Sequence, residues 1–140
     1  MPRIVWNDTF SVHVPEIDDQ HKKWIDIINE LHDTLMRQQG KVLLRITGET
    51  FRAMEEYSRF HFDYEEEYMR KINYPGLERH KQEHDDFRIK IVGYQKELEA
   101  GDLILNSEVM KILMNWLTQH ILTQDKGYSS YADSAAYRSP

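Results

Sequence analysis

Cysteine is missing from this chain altogether. That excludes disulfides, thiolate-bound zinc and iron–sulfur clusters, so a metal here would have to be held by histidine and carboxylate. A thiol-free chain suits a reducing cytoplasm, and the start "MPRIVWND" lacks the basic segment and apolar core of a signal peptide, so a cytoplasmic location is expected. Long apolar runs are absent too: none approaches the roughly 18 to 20 residues of a membrane span. Positive charge is scarce, with 18 Lys and Arg against 24 Asp and Glu. A net charge of −6 leaves no basic stripe for a phosphate backbone, which disfavours nucleic-acid binding. Proline and glycine are few as well, at four and six in 140 residues, so regular structure is interrupted rarely.

The few breaks are informative. Pro15 precedes an acidic "EIDD", Gly40 follows "RQQ", "NYPG" occupies 73–76 and "AGD" 100–102. Between them lie four segments of helical length, each with an apolar stripe at three- and four-residue spacing. The first carries His21, Trp24, Ile25, Ile28, Leu31 and Leu35; the second Met54, Tyr57, His61, Glu65, Tyr68 and Ile72. His80, His84, Phe87, Ile91, Tyr94 and Leu98 line the third, and Val109, Leu113, Trp116, Leu117 and His120 the fourth. Strand-like alternation is weak throughout. The expectation is an all-α protein, an up-down-up-down antiparallel four-helix bundle with an N-terminal arm. One domain over 1–140 would comprise an arm at 1–17, the bundle at about 18–126 and a loosely held tail at 127–140.

Topology then gathers the histidines. His21 lies early in helix one, His61 and Glu65 near the end of helix two, His80 and His84 early in helix three, and His120 near the end of helix four. In an up-down-up-down bundle these positions fall within roughly 15 Å of the same end. The spacings His61 to Glu65 and His80 to His84 put each pair on one helical face. Asp125, five residues after His120, turns away on an ideal α-helix and is expected to reach across from a frayed last turn. Five imidazoles and a carboxylate buried together without a metal would strand polar atoms, so a metal centre is expected. Imidazole serves iron, copper, nickel and zinc alike, and the candidate ligands are too many for one ion. Glu66 and Glu67 lie off the stripe and are expected in solvent, as is Glu83; His13 and His32 are expected to be structural or surface residues. "HKQEH" at 80–84 also fits the inverted zinc-peptidase signature, but that reading leaves His21, His61 and His120 without a role.

His21 in "EIDDQHKKW", His61 and Glu65 in "HFDYEEEY", His80 with His84, and His120 with Asp125 in "WLTQHILTQDKGY" together resemble the hemerythrins, in particular the stand-alone bacterial ones. The resemblance implies a non-haem di-iron centre, oxo- or hydroxo-bridged, that binds O₂ reversibly. His80, His84 and His120 would hold one iron, His21 and His61 the other, and Glu65 and Asp125 would bridge them. One coordination position is left open on the two-histidine ion, beside a pocket formed by Trp24, Phe62, Trp116, Leu117 and Ile121. Trp6 and Tyr128 fall where the family places supporting aromatics. The implied role is oxygen storage, sensing or delivery to an oxygen-consuming enzyme. The alternative is a di-iron enzyme that reduces O₂, peroxide or nitric oxide.

Overall fold

The protein is described by a computed structural model over residues 3–101 and 106–138, without the side chains of 135–138. After a short 3-10 turn, Asp8–Phe10, come α1 (Pro15–Arg37), α2 (Gly40–Lys71), α3 (Leu77–Glu99) and α4 (Ser107–Gln119). A π-helical turn, His120–Asp125, then runs directly into α5 (Lys126–Arg138). The chain forms the expected antiparallel four-helix bundle with an N-terminal arm.

Local chemistry sets the ends. Pro15 stands at the first turn of α1, where its missing N–H costs nothing, and Glu16 and Asp18 complement the positive helix start. Asp18 also holds the arm, accepting from the Ser11 hydroxyl at 2.6 Å and the Val12 amide at 2.9 Å. A two-residue connector joins α1 to α2, and Gly40 (φ 61) takes the left-handed conformation that opens α2. At the other end of α2, Asn73 (φ 57) reverses the chain and the Tyr74 amide closes back on the Met69 carbonyl at 2.9 Å. Asn106 caps α4 by accepting from the Val109 amide.

Two apolar clusters hold the bundle. The larger includes Ile28, Leu31, Phe51, Met54, Ile91, Met110 and Leu113, all fully buried. The smaller, Val12, Ile17, Met69 and Tyr128, joins the arm and α5 over the histidine-rich end. The segment after 126, expected to be a loose tail, is therefore corrected: it is helical to Arg138. It is tied down where Tyr128 is buried, the Ser129 hydroxyl donates to the Val12 carbonyl at 2.9 Å and Lys126 Nζ donates to the Ser11 carbonyl at 2.7 Å. Among the described residues, no helix is long and apolar enough to cross a membrane.

Candidate metal centre

Each helix contributes from the end that the topology predicts. His21 comes from α1, His61 and Glu65 from α2, His80 and His84 from α3, and His120 and Asp125 from the π-helical turn. All seven are buried, none more than 5% exposed. Their ligand atoms fall into two groups: Glu65, His80, His84, His120 and Asp125 in one, and His21, His61 and Glu65 in the other.

The carboxylates divide their oxygens between the groups. Glu65 Oε1 lies 3.0 Å from both His80 Nε2 and His84 Nε2, while its Oε2 lies 3.2 Å from His61 Nε2 and 3.4 Å from His21 Nε2. Asp125 Oδ1 is 2.9 Å from His80 Nε2 and 3.1 Å from His120 Nε2, and its Oδ2 is 3.1 Å from His21 Nε2. The Nε2 atoms of His80 and His84 each approach that of His120 at 3.1 Å.

Asp125 owes its place to the π-helical turn. A repeat of five residues per hydrogen bond, instead of four, puts His120 and Asp125 one turn apart on the same side. The frayed last turn expected from the sequence is thus replaced by continuous helix of a different pitch.

Without a metal this layer is electrically demanding. Burial works against a cationic His21, yet Asp125 and Glu65 outweigh it and raise its pKa to about 9. His80 behaves in the same way, burial opposed and overcome by Asp125 and Glu65, and also rises to about 9. For His61 burial wins, and its pKa falls. Burial opposes ionisation of Glu65 and Asp125 too, but the surrounding imidazoles hold both carboxyls well below their usual range. His21 Nε2, His61 Nε2 and both Asp125 oxygens still have no hydrogen-bond partner among the described residues. Orphaned buried donors and acceptors aimed at one another, drawn from five imidazoles and two carboxylates, fit a pair of transition ions.

The aromatic residues expected beside the site pack there. Trp24 lies edge-on to His61 at 5.5 Å between ring centroids and 5.3 Å from Phe62. Phe62 stacks on His84 at 3.8 Å, and Trp116 stacks on His120 at 4.5 Å. Leu117 and Ile121 are fully buried among them, and Phe87, which the sequence reading did not single out, stacks on Trp116 at 4.0 Å. Tyr128 donates its hydroxyl to Glu65 Oε2 at 3.1 Å, whereas Trp6 packs on Phe10 and beneath the Lys22 ammonium.

Three polar residues were missed. His61 Nδ1 meets Gln20 Oε1 at 2.7 Å, His84 Nδ1 meets Glu66 Oε2 at 2.9 Å, and His120 Nδ1 lies 3.3 Å from Glu83 Oε2. Glu66 and Glu83, expected in solvent, are half-buried against histidines, because a residue beside one ligand is rotated about 100° toward the neighbouring helix. In the sequence each of the three immediately adjoins a candidate ligand, but only the position of the next helix shows which histidine it serves. His32, by contrast, is buried beside Asp33 away from this cluster, and His13 is exposed at a positive φ of 62.

Comparisons with known proteins point to one family. The family described as Hemerythrin HHE cation binding domain matches residues 12–132. A bacteriohemerythrin of Pseudomonas aeruginosa is 34% identical over 128 residues, 91% of this chain and 80% of its own length. One from Clostridium acetobutylicum is 30% identical over 125 residues, covering 89% of this chain and 97% of its own. A wild-type hemerythrin crystal structure superposes with a TM-score of 0.84 at 32% identity, over 92% of this chain and 97% of that one.

Proposed function

The chain belongs to the hemerythrin family, and on that premise we propose that it binds O₂ reversibly at a non-haem di-iron centre, for storage, sensing or delivery to an oxygen-consuming enzyme. His80, His84 and His120 would hold one ion and His21 and His61 the other, with Glu65 and Asp125 spanning both. When bound, the two iron ions supply the open coordination position and the electrons that reversible O₂ binding borrows and returns. The observation that carries this reading is the division of carboxylate oxygens. Glu65 and Asp125 each turn one oxygen to each histidine group, which a single-ion site would not need.

The protein's own residues then do three things. Trp24, Phe62, Leu117 and Ile121, none more than 1% exposed, keep water and its protons away from the ligand. Gln20 and Glu66 accept from the outward nitrogens of His61 and His84, which fixes the tautomer and leaves each Nε2 free to bind metal. The Tyr128 hydroxyl holds Glu65 Oε2 in place from beyond the metal layer.

The test is a loading and cycling experiment. Metal-free protein given ferrous iron without air, then exposed to O₂, should acquire a charge-transfer absorption band that disappears under argon and returns with O₂. Irreversible conversion to the oxidised form on first contact would overturn the carrier reading.

A further inference from the structure

A histidine that binds metal through Nε2 turns its Nδ1–H outward, and what that proton meets tunes the ring as a donor. Around this site the outward partners are unequal. Behind the three-histidine group stand two carboxylates, Glu66 hydrogen-bonded to His84 at 2.9 Å and Glu83 in ion-pair rather than hydrogen-bond contact with His120 at 3.3 Å, while His80 Nδ1 has no hydrogen-bond partner among the described residues. Among the described residues, the two-histidine group is backed by a neutral amide alone, Gln20 on His61 at 2.7 Å, and His21 Nδ1 has no hydrogen-bond partner. A charged acceptor pulls on an N–H roughly twice as strongly as a neutral one. The pull passes through the ring and makes Nε2 more electron-rich.

We propose that Glu66 and Glu83 are positioning residues that make the three-histidine metal position the more electron-rich of the two, so that it retains its ion more tightly and favours the ferric state. This rests on the two-ion reading above. Glu66 dominates, because its contact is shorter and its side chain is 13% exposed against 33% for Glu83. Glu83 lines an open surface pocket of about 330 Å³ with Asp86, Trp116 and His120, where solvent screens its charge. Neither glutamate is needed to complete a ligand set, so their effect should show in the metal's properties before it shows in the fold.

The experiment begins with iron analysis of the wild-type protein. Fewer than two irons per chain defeats the two-ion reading itself, apart from any role of the glutamates. With both ions loaded, a redox titration with ferricyanide and mediators follows, in which each ferrous ion gives one electron to the oxidant. Glu66→Gln and Glu83→Gln keep side-chain size and an acceptor oxygen while removing the charge, so a merely structural tie between helices survives in them. The midpoint potential should rise in Glu66→Gln, less in Glu83→Gln and most in the double variant. Gln20→Glu, which adds a charge behind His61, should lower it, and this arm stands even if a glutamate variant folds poorly. Glu67→Gln, an exposed residue paired with Arg70, is the control for bulk charge and should leave the potential unmoved. Glu66→Ala and Glu83→Ala together should weaken retention of one of the two irons against a chelator by about 10- to 100-fold. Unchanged potentials in the charge variants, or an equal shift in Glu67→Gln, overturn the proposal.

Discussion

The two ends of this bundle are buried to the same degree and built from opposite chemistry. At one end Phe51, Met54, Ile91, Met110 and Leu113 are fully buried and satisfied by contact with one another. At the other, His21, His61 and Asp125 are buried just as deeply, with polar atoms that find no hydrogen-bond partner among the described residues. Burial stabilises the first end by transfer from water, whereas at the second it costs free energy until something binds. One helical scaffold thus separates the work of folding from the work of binding.

The sharpest way to break that separation is Glu65→Ala. Glu65 has an oxygen in each ligand group, so its loss should empty both positions and reduce iron from about two per chain to nearly none by elemental analysis. Phe51→Ala should do the reverse, costing about 3–5 kcal/mol in urea unfolding while the folded protein keeps its iron. If the Phe51 variant remains folded but loses iron as fully as the Glu65 variant, the two ends are not separable.

Removing metal from the wild type should act on one end first. Hydrogen exchange in the metal-free protein should accelerate around His61–Met69 and His80–Phe87 while amides near Phe51 and Ile91 stay protected. Its stability should also acquire a pH dependence. His21 and His80, raised to about 9 in the fold from 6.5, bind protons more tightly folded than unfolded. Their contribution is complete below about pH 6.5 and lost as pH rises through 9. Glu65 and Asp125, both depressed, contribute above their ordinary values of 4.5 and 3.8 and lose that contribution in acid. The metal-free protein should therefore be less stable at pH 9.5 than at pH 6, and bound metal, which displaces those ligand protons, should flatten that alkaline loss. Melting temperatures of both forms across pH check this. The smallest effect is expected from Tyr128→Phe, which removes one hydroxyl from Glu65: about 1 kcal/mol of stability, with iron content retained.

The apolar stripes were legible because helical periodicity is written into residue spacing, and the rough level of each histidine followed from counting residues to the helix ends. Three features were not. Asp125 was expected at the site from a frayed last turn, but how it gets there was hidden, since the π-helical pitch that brings it beside His120 leaves no mark in spacing read at 3.6 residues per turn. Glu66 and Glu83 read as solvated because each lies off its own helix's stripe, and only the position of the neighbouring helix turns that flank inward. The stretch after Lys126 read as a tail for want of a strong stripe, yet Tyr128 and Ser129 dock on the arm.

By itself, then, the sequence determined four amphipathic helices, a histidine-rich layer at one end and a donor set without thiolate, because residue type and periodicity are local properties. Tertiary structure alone decided which oxygen of Glu65 and Asp125 faces which histidines, and which ring nitrogens are backed by charge. Those depend on distances of about 3 Å between helices, which no spacing along one chain encodes.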